Sequence, residues 1–135
     1  MAKKDATFVI QSDGTISQKD CKQTLGAVNE DIVVWIFRND YAGQVTVVFD
    51  SWKLKGNAVA APVSWLYPVD GVVRLANQGD IQPMVGKVTV APATGKKDSF
   101  SGTLKVTAGG TVSFDPDLEV SGPPPIPPHD GKGHR

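Results

Sequence analysis

Asp31-Ile32-Val33-Val34-Trp35-Ile36-Phe37-Arg38-Asn39-Asp40-Tyr41-Ala42-Gly43-Gln44-Val45-Thr46-Val47-Val48-Phe49-Asp50 carries the plainest structural signal in the chain. From Ile32 to Phe37 every side chain is β-branched or aromatic, and Asp31 and Arg38 bound the run. Such a strand is buried on both faces or central in a sandwich, since a half-solvated strand alternates apolar with polar residues. Asn39 to Gly43 has turn composition, and Gln44 to Phe49 resumes strand composition. The whole segment therefore reads as a β-hairpin.

Short alternating runs continue on both sides. Thr7 to Gln11 reads as a first strand, followed by a turn at Ser12-Asp13-Gly14-Thr15. Ser51 to Met84 is irregular: Pro62, Pro68 and Pro83 break it, and Gly56, Gly71 and Gly79 turn it. Val72 to Leu75 reads as a short strand within it. Further strands are expected at Val85–Val90 and Ser101–Thr107, with an exposed loop at Ala91–Asp98 between them. A glycine turn at Ala108–Thr111 leads to Val112–Phe114 and Leu118–Val120. Asp115-Pro116 separates these last two and is expected to bend the chain from one sheet to the other. About seven short strands with frequent Gly and Pro turns predict an all-β, Greek-key β-sandwich. Residues 1–121 form that domain. Residues 122–135 read as a disordered Pro/Gly-rich tail, with polyproline II conformation over Pro123–Pro128.

The chain has 135 residues, with 14 basic and 14 acidic side chains. One domain of this size buries a core without staples. A net charge of zero argues against nucleic-acid or membrane-surface binding by electrostatics. Cys21 is the one cysteine, so no internal disulfide forms, which fits a reducing compartment or a protein that never needed staples. No apolar leader and no membrane-length apolar run are visible. A cytoplasmic location is the default expectation, which a removed signal peptide would equally leave.

Two segments carry a family resemblance. The first is Glu30 to Asn39 followed by Gly43 to Asp50. The second is Gly102 to Gly110 followed by Phe114-Asp115-Pro116-Asp117-Leu118-Glu119-Val120. Together they resemble the cupredoxins, the plastocyanin-like β-sandwiches. The resemblance implies a histidine copper ligand opening the strand after Asn39, and a Cys, a second His and a Met in a loop near the C-terminus. Val45 stands at the first position. The loop between Val90 and Phe100, taken as the second, has no Cys, His or Met. Cys21 and Met84 lie in the wrong parts of the chain, and His129 and His134 lie in the tail. No copper ligand carries over, and no cofactor is expected.

Other chemistry is thin. His129 and His134 lack preorganised geometry for a metal. Cys21 has Lys19 and Lys22 nearby to lower its pKa, but no His partner. A serine nucleophile would lack a base. Asp115 and Asp117, with Asp31, Asp50 or Asp70, are the one carboxylate set for a weak hard-cation site. Trp52, Trp65 and Tyr67 form the candidate recognition surface, suited to a protein or a carbohydrate partner. The expectation is a non-enzymatic binding or structural module.

Overall fold

The computed structural model describes residues 2–54 and 61–125, the side chain of Leu54 excepted. Ten strands and one short helix follow in order: β1 (Lys3–Ile10), α1 (Gln18–Cys21), β2 (Thr24–Val28), β3 (Ile32–Asn39), β4 (Val45–Leu54), β5 (Val63–Tyr67), β6 (Val72–Leu75), β7 (Ile81–Val88), β8 (Lys97–Ala108), β9 (Gly110–Phe114) and β10 (Asp117–Ser121). They build two sheets. One has the order β1-β3-β7-β5; the other has the order β2-β10-β8-β4-β6, with β9 paired to β8. This is the expected all-β sandwich, with more strands than the sequence suggested.

Alternation decides which side chains meet between the sheets. In the four-stranded sheet, Ala6, Phe8 and Ile10 of β1 stand opposite Trp35, Phe37 and Asn39 of β3, and Trp35 stands opposite Met84 of β7. All of these are buried. The second sheet answers with Val45, Val47, Phe100, Leu104, Val106, Leu118 and Val120. One irregularity matters: β4 shifts register between Phe49 and Ser51. The extra residue lets Phe49 and Trp52, three positions apart, face the same interior.

Several expectations are corrected. β2, β5 and α1 were not foreseen, and β7 starts at Ile81, before Pro83. The β5 pairing reaches only from Val88 to Val85. At Pro83, β7 is therefore a free edge on that side, where proline is tolerated. Asp115-Pro116 does not move the chain between sheets. β9 and β10 both pair with β8 in one sheet, and the Pro116 carbonyl accepts a hydrogen bond from the Gly102 N–H at 3.0 Å across the break. The first tail residues are also structured: Gly122 donates its N–H to the Lys96 carbonyl and Pro123 accepts from Gly95. Gly56, His129, His134 and the polyproline reading beyond Pro125 lie outside the described residues.

Candidate functional site

At the end of the sandwich where β3 stops, Asn39 is fully buried and organises two turns, β3–β4 and β6–β7. Its Nδ2 donates to the carbonyls of Gly43 at 2.8 Å, Asn77 at 3.1 Å and Leu75 at 3.3 Å. Its Oδ1 accepts the Tyr41 N–H at 2.8 Å. Val45 and Leu75 fill the space beneath and are fully buried. The β8–β9 turn completes this end: a Cβ at Gly109 would stand 2.6 Å from the Tyr41 hydroxyl, and Gly109 has φ +82°.

That placement corrects the sequence reading. β8 runs antiparallel to β4, with Thr107 opposite Thr46 and Phe100 opposite Leu54. The loop between Val90 and Phe100 therefore lies at the far end of the sandwich, ~30 Å along β4 from Val45. The segment beside the Asn39 turn is Ala108-Gly109-Gly110-Thr111, which also offers no Cys, His or Met. Met84 is sealed in the core. A blue-copper ion needs imidazole and thiolate donors, and the residues present at this end do not fit one.

The three residues singled out for recognition are divided. Trp52 and Trp65 stack on each other at 6.1 Å with ring planes 9° apart, and both pack on the buried Trp35. They are half-buried members of the inter-sheet cluster. Glycines make the room: Trp52 stands opposite Gly102 and Trp65 opposite Gly86. The indole N–H groups of Trp35 and Trp65 have no hydrogen-bond partner among the described residues. Tyr67 faces the other way, out of the sheet, and is 55% exposed. Tyr67, Pro68, Asp70, Arg74, Gln82 and Pro83 border a cleft of about 320 Å³.

The carboxylates are dispersed and occupied. Asp115 pairs with the Lys53 ammonium at 3.0 Å, and Asp117 accepts the Ser101 hydroxyl. Asp31 accepts the N–H groups of Ala2 at 2.9 Å and Val28 at 3.0 Å. Among the described residues no group of three or more His, Cys, Asp or Glu is placed to hold a metal ion. Cys21 is also corrected: burial, then the Asp20 carboxylate, push its thiol pKa up. It is a poorer nucleophile than the neighbouring lysines suggested.

A feature missed from sequence is the contrast between the two outer faces. On the larger sheet the outward rows are Thr46–Thr107–Thr111, Lys53–Ser101–Asp117 and Ser99–Glu119, polar apart from Val28, Val48 and Val72. On the four-stranded sheet the outward rows are Asp5–Val34–Val85–Tyr67 and Thr7–Ile36–Pro83, with Lys3–Ile32–Lys87 at one end and Val9–Arg38–Ile81 at the other. Ile81 is 57% exposed and Leu66, at the β5 irregularity, 51%. The apolar run of β3 thus packs one face on the core, and on its outer face Val34 is buried, Ile32 and Ile36 are half-buried and only Arg38 is exposed. That run was the available signal, but a sequence does not say whether the chain covers both faces itself.

No protein-family model matches the chain. No curated protein is significantly similar to it in sequence. Among solved structures, it resembles a chain of the CsuC–CsuE complex, a chaperone with a tip adhesion subunit before assembly, from the archaic chaperone-usher Csu pili of Acinetobacter baumannii. The TM-score is 0.60 at 12% identity, over 76% of this chain and 50% of that one. That likeness shows the sandwich fold, and the chain spans half the length of its neighbour. The VesB protease of Vibrio cholerae aligns at a TM-score of 0.44 and 11% identity, over 74% of this chain and 30% of that one, too loosely to carry an argument.

Proposed function

We propose that this chain is a cupredoxin-like sandwich without a copper site, acting as a non-enzymatic protein-binding module through the outer face of its four-stranded sheet. The observation that carries the reading is the unbalanced pair of faces. Water solvates one outer face through Thr, Ser, Lys, Asp and Glu. The other has Ile81 exposed at one end, and Leu66, Tyr67 and Val69 exposed together along β5 and the turn after it, around rows in which Asp5 and Thr7 join half-buried apolar residues. Grouped exposed apolar side chains mark association sites. Tyr67 adds a broad ring at its margin, a residue type enriched at interfaces.

The kinship rests on the two quoted segments, and the meeting of the Asn39 turn with the C-terminal β8–β9 turn supports it. The pilus neighbour is itself a protein described in complex with a protein partner, which agrees with the module class. A carbohydrate reading is weaker: it needs an aromatic platform, and Trp52 and Trp65 are turned inward, leaving Tyr67 and its cleft.

The test is an apolar fluorescent probe added to dilute folded protein. Wild type is expected to bind it, whereas Ile81→Lys and Val85→Lys lose that binding and keep their unfolding midpoints within about 0.5 kcal/mol of wild type. Probe binding unchanged in both variants would sink the assignment of the face.

A further inference from the structure

We infer that the free edge of β2 is a docking strip for an extended peptide, which joins the larger sheet as one more strand and lays an aromatic side chain over Gly26. This edge belongs to the other sheet, so the inference stands apart from the outer-face assignment above.

β2 is the end strand of the larger sheet. The Asp117 N–H bonds to the Gln23 carbonyl at 3.2 Å, and Asp117 stands opposite Thr24. Backbone groups alternate sides along a strand. Gln23, Leu25 and Ala27 therefore face β10, while Thr24, Gly26 and Val28 face away. Val28 is taken: its N–H goes to the Asp31 carboxylate at 3.0 Å, and its carbonyl accepts the Asp31 N–H at 3.1 Å. The N–H and C=O groups of Thr24 and Gly26 have no partner among the described residues. Donors and acceptors spaced in this way match another extended backbone.

Other edges are obstructed. On β1 the Asp20 carboxylate takes the Val9 N–H, the Gln23 amide takes the Thr7 carbonyl, and Lys3 and Asp5 bring charge. β5 is irregular between Trp65 and Tyr67. β6 has Asp70 on its Val72 N–H and carries Arg74, and the open part of β7 holds Pro83. Charges, prolines and irregularities are the devices that keep strand edges from pairing. β2 has none of them in Thr24-Leu25-Gly26-Ala27-Val28.

Gly26 says what the added strand carries. A glycine inside a strand weakens it, and the chain itself has no use for this one. Its φ lies outside the left-handed region, and a Cβ there would meet no described atom within 4 Å. Gly86 and Gly102, by contrast, make room for the tryptophans. On the outer face of the sheet Gly26 leaves a gap between Thr24 and the 46% exposed Val28. In an antiparallel pair the residue opposite Gly26 exchanges both backbone bonds with it. An aromatic ring at that residue fills the gap, as cross-strand aromatics do over edge glycines. β9 is also open along Thr111 and Ser113, but the side chains there leave no such gap. The neighbours of the aromatic residue turn the other way, over a groove of about 500 Å³ bordered by Ala2, Lys4 and Ala27.

The full chain is titrated into two fluorescein-labelled heptapeptides, Glu-Thr-Val-Tyr-Val-Thr-Glu and the same peptide with Ala for Tyr, and anisotropy is read. Wild type is expected to bind the Tyr peptide with a Kd in the millimolar range or tighter, and the Ala peptide several-fold more weakly. Gly26→Val fills the gap and should abolish that difference while raising the unfolding midpoint. Thr24→Pro removes an outward N–H and should weaken both peptides several-fold, with circular dichroism checking the fold. Ile81→Lys, on the other sheet, should change nothing. Absence of binding at millimolar protein overturns the inference. So does equal binding of the two peptides, or binding indifferent to Gly26→Val. A lower midpoint for Gly26→Val shows that the chain itself needs the glycine and overturns the reading of the gap. Sedimentation velocity covers the remaining occupant: a dimer of the chain alone that Thr24→Pro abolishes assigns the edge to a second copy and overturns the peptide. Loss of peptide binding in Ile81→Lys places the peptide on the outer face instead, which overturns this inference and leaves the proposed function standing.

Discussion

Asn39 satisfies four backbone groups from two turns with one buried amide. No other uncharged side chain of that length both donates twice and accepts at such a point. Asn39→Ala strands the Tyr41 N–H and the carbonyls around it. An unsatisfied buried polar group costs roughly 1–3 kcal/mol, so the urea midpoint is expected to fall by the equivalent of about 3 kcal/mol. Asp31 plays the matching part at the other end. Burial works to raise its pKa, but the N–H groups of Val28 and Ala2, and then the Lys4 charge, outweigh it and hold the carboxyl below its ordinary range. A carboxyl depressed in the folded state adds stability that is complete above its unfolded pKa, about 3.9, and is lost as pH falls through the folded value. Asp31→Asn turns one acceptor into a donor facing an N–H. It is expected to cost about 1–3 kcal/mol near neutral pH, and the gap from wild type should narrow in acid-unfolding curves below about pH 4.

At the scale of elements, the sandwich is fitted around its tryptophans. A Cβ on Gly102 of β8 would stand 2.6 Å from Cη2 of Trp35, and one on Gly86 of β7 would collide with Val63 and Trp65. Gly102→Ala is expected to destabilise by roughly 1–3 kcal/mol through overpacking and to shift the tryptophan emission, since Trp35 and the stacked Trp52 must move together. The β3–β4 hairpin was legible because its apolar runs are long and its turn residues specific. β8 was legible in its middle, where Leu104 and Val106 alternate with polar neighbours. β2 was not: Thr-Leu-Gly-Ala-Val buries little, and its strand state comes from parallel pairing with β10, a partner 93 positions away in sequence. β5 was hidden for a similar reason. Its register shifts between Trp65 and Tyr67, so Trp65 points in while Leu66 and Tyr67 remain exposed, and no period of two survives. The same shift explains why three aromatics close in sequence do not form one platform. The outer row of β3 was written in Ile32, Val34 and Ile36, but residue type alone does not say how far the folded chain buries that row.

For the whole molecule, the chain stays tied to the sandwich just past the change in composition. The change to Pro and Gly begins at Gly122, directly after β10 ends at Ser121. Gly122 sits so close to the carbonyls of Pro92 and Ala93 that no Cβ would fit there, and its N–H bonds to Lys96 at 2.8 Å. One residue on, the Pro123 carbonyl accepts from Gly95 at 2.9 Å. Those two bonds tie the exit of β10 to the loop that delivers the chain from β7 into β8, and β8 is the strand on which β4, β9 and β10 all pair. A net gain of about 0.5–1.5 kcal/mol per hydrogen bond makes this clasp worth roughly 1–3 kcal/mol. Truncation after Ser121 should therefore lower the thermal midpoint by several degrees, on the order expected for that energy in a domain of this size. Truncation after Pro125 retains both bonds and should keep the wild-type midpoint. Equal midpoints for the two truncations would show that the clasp adds nothing.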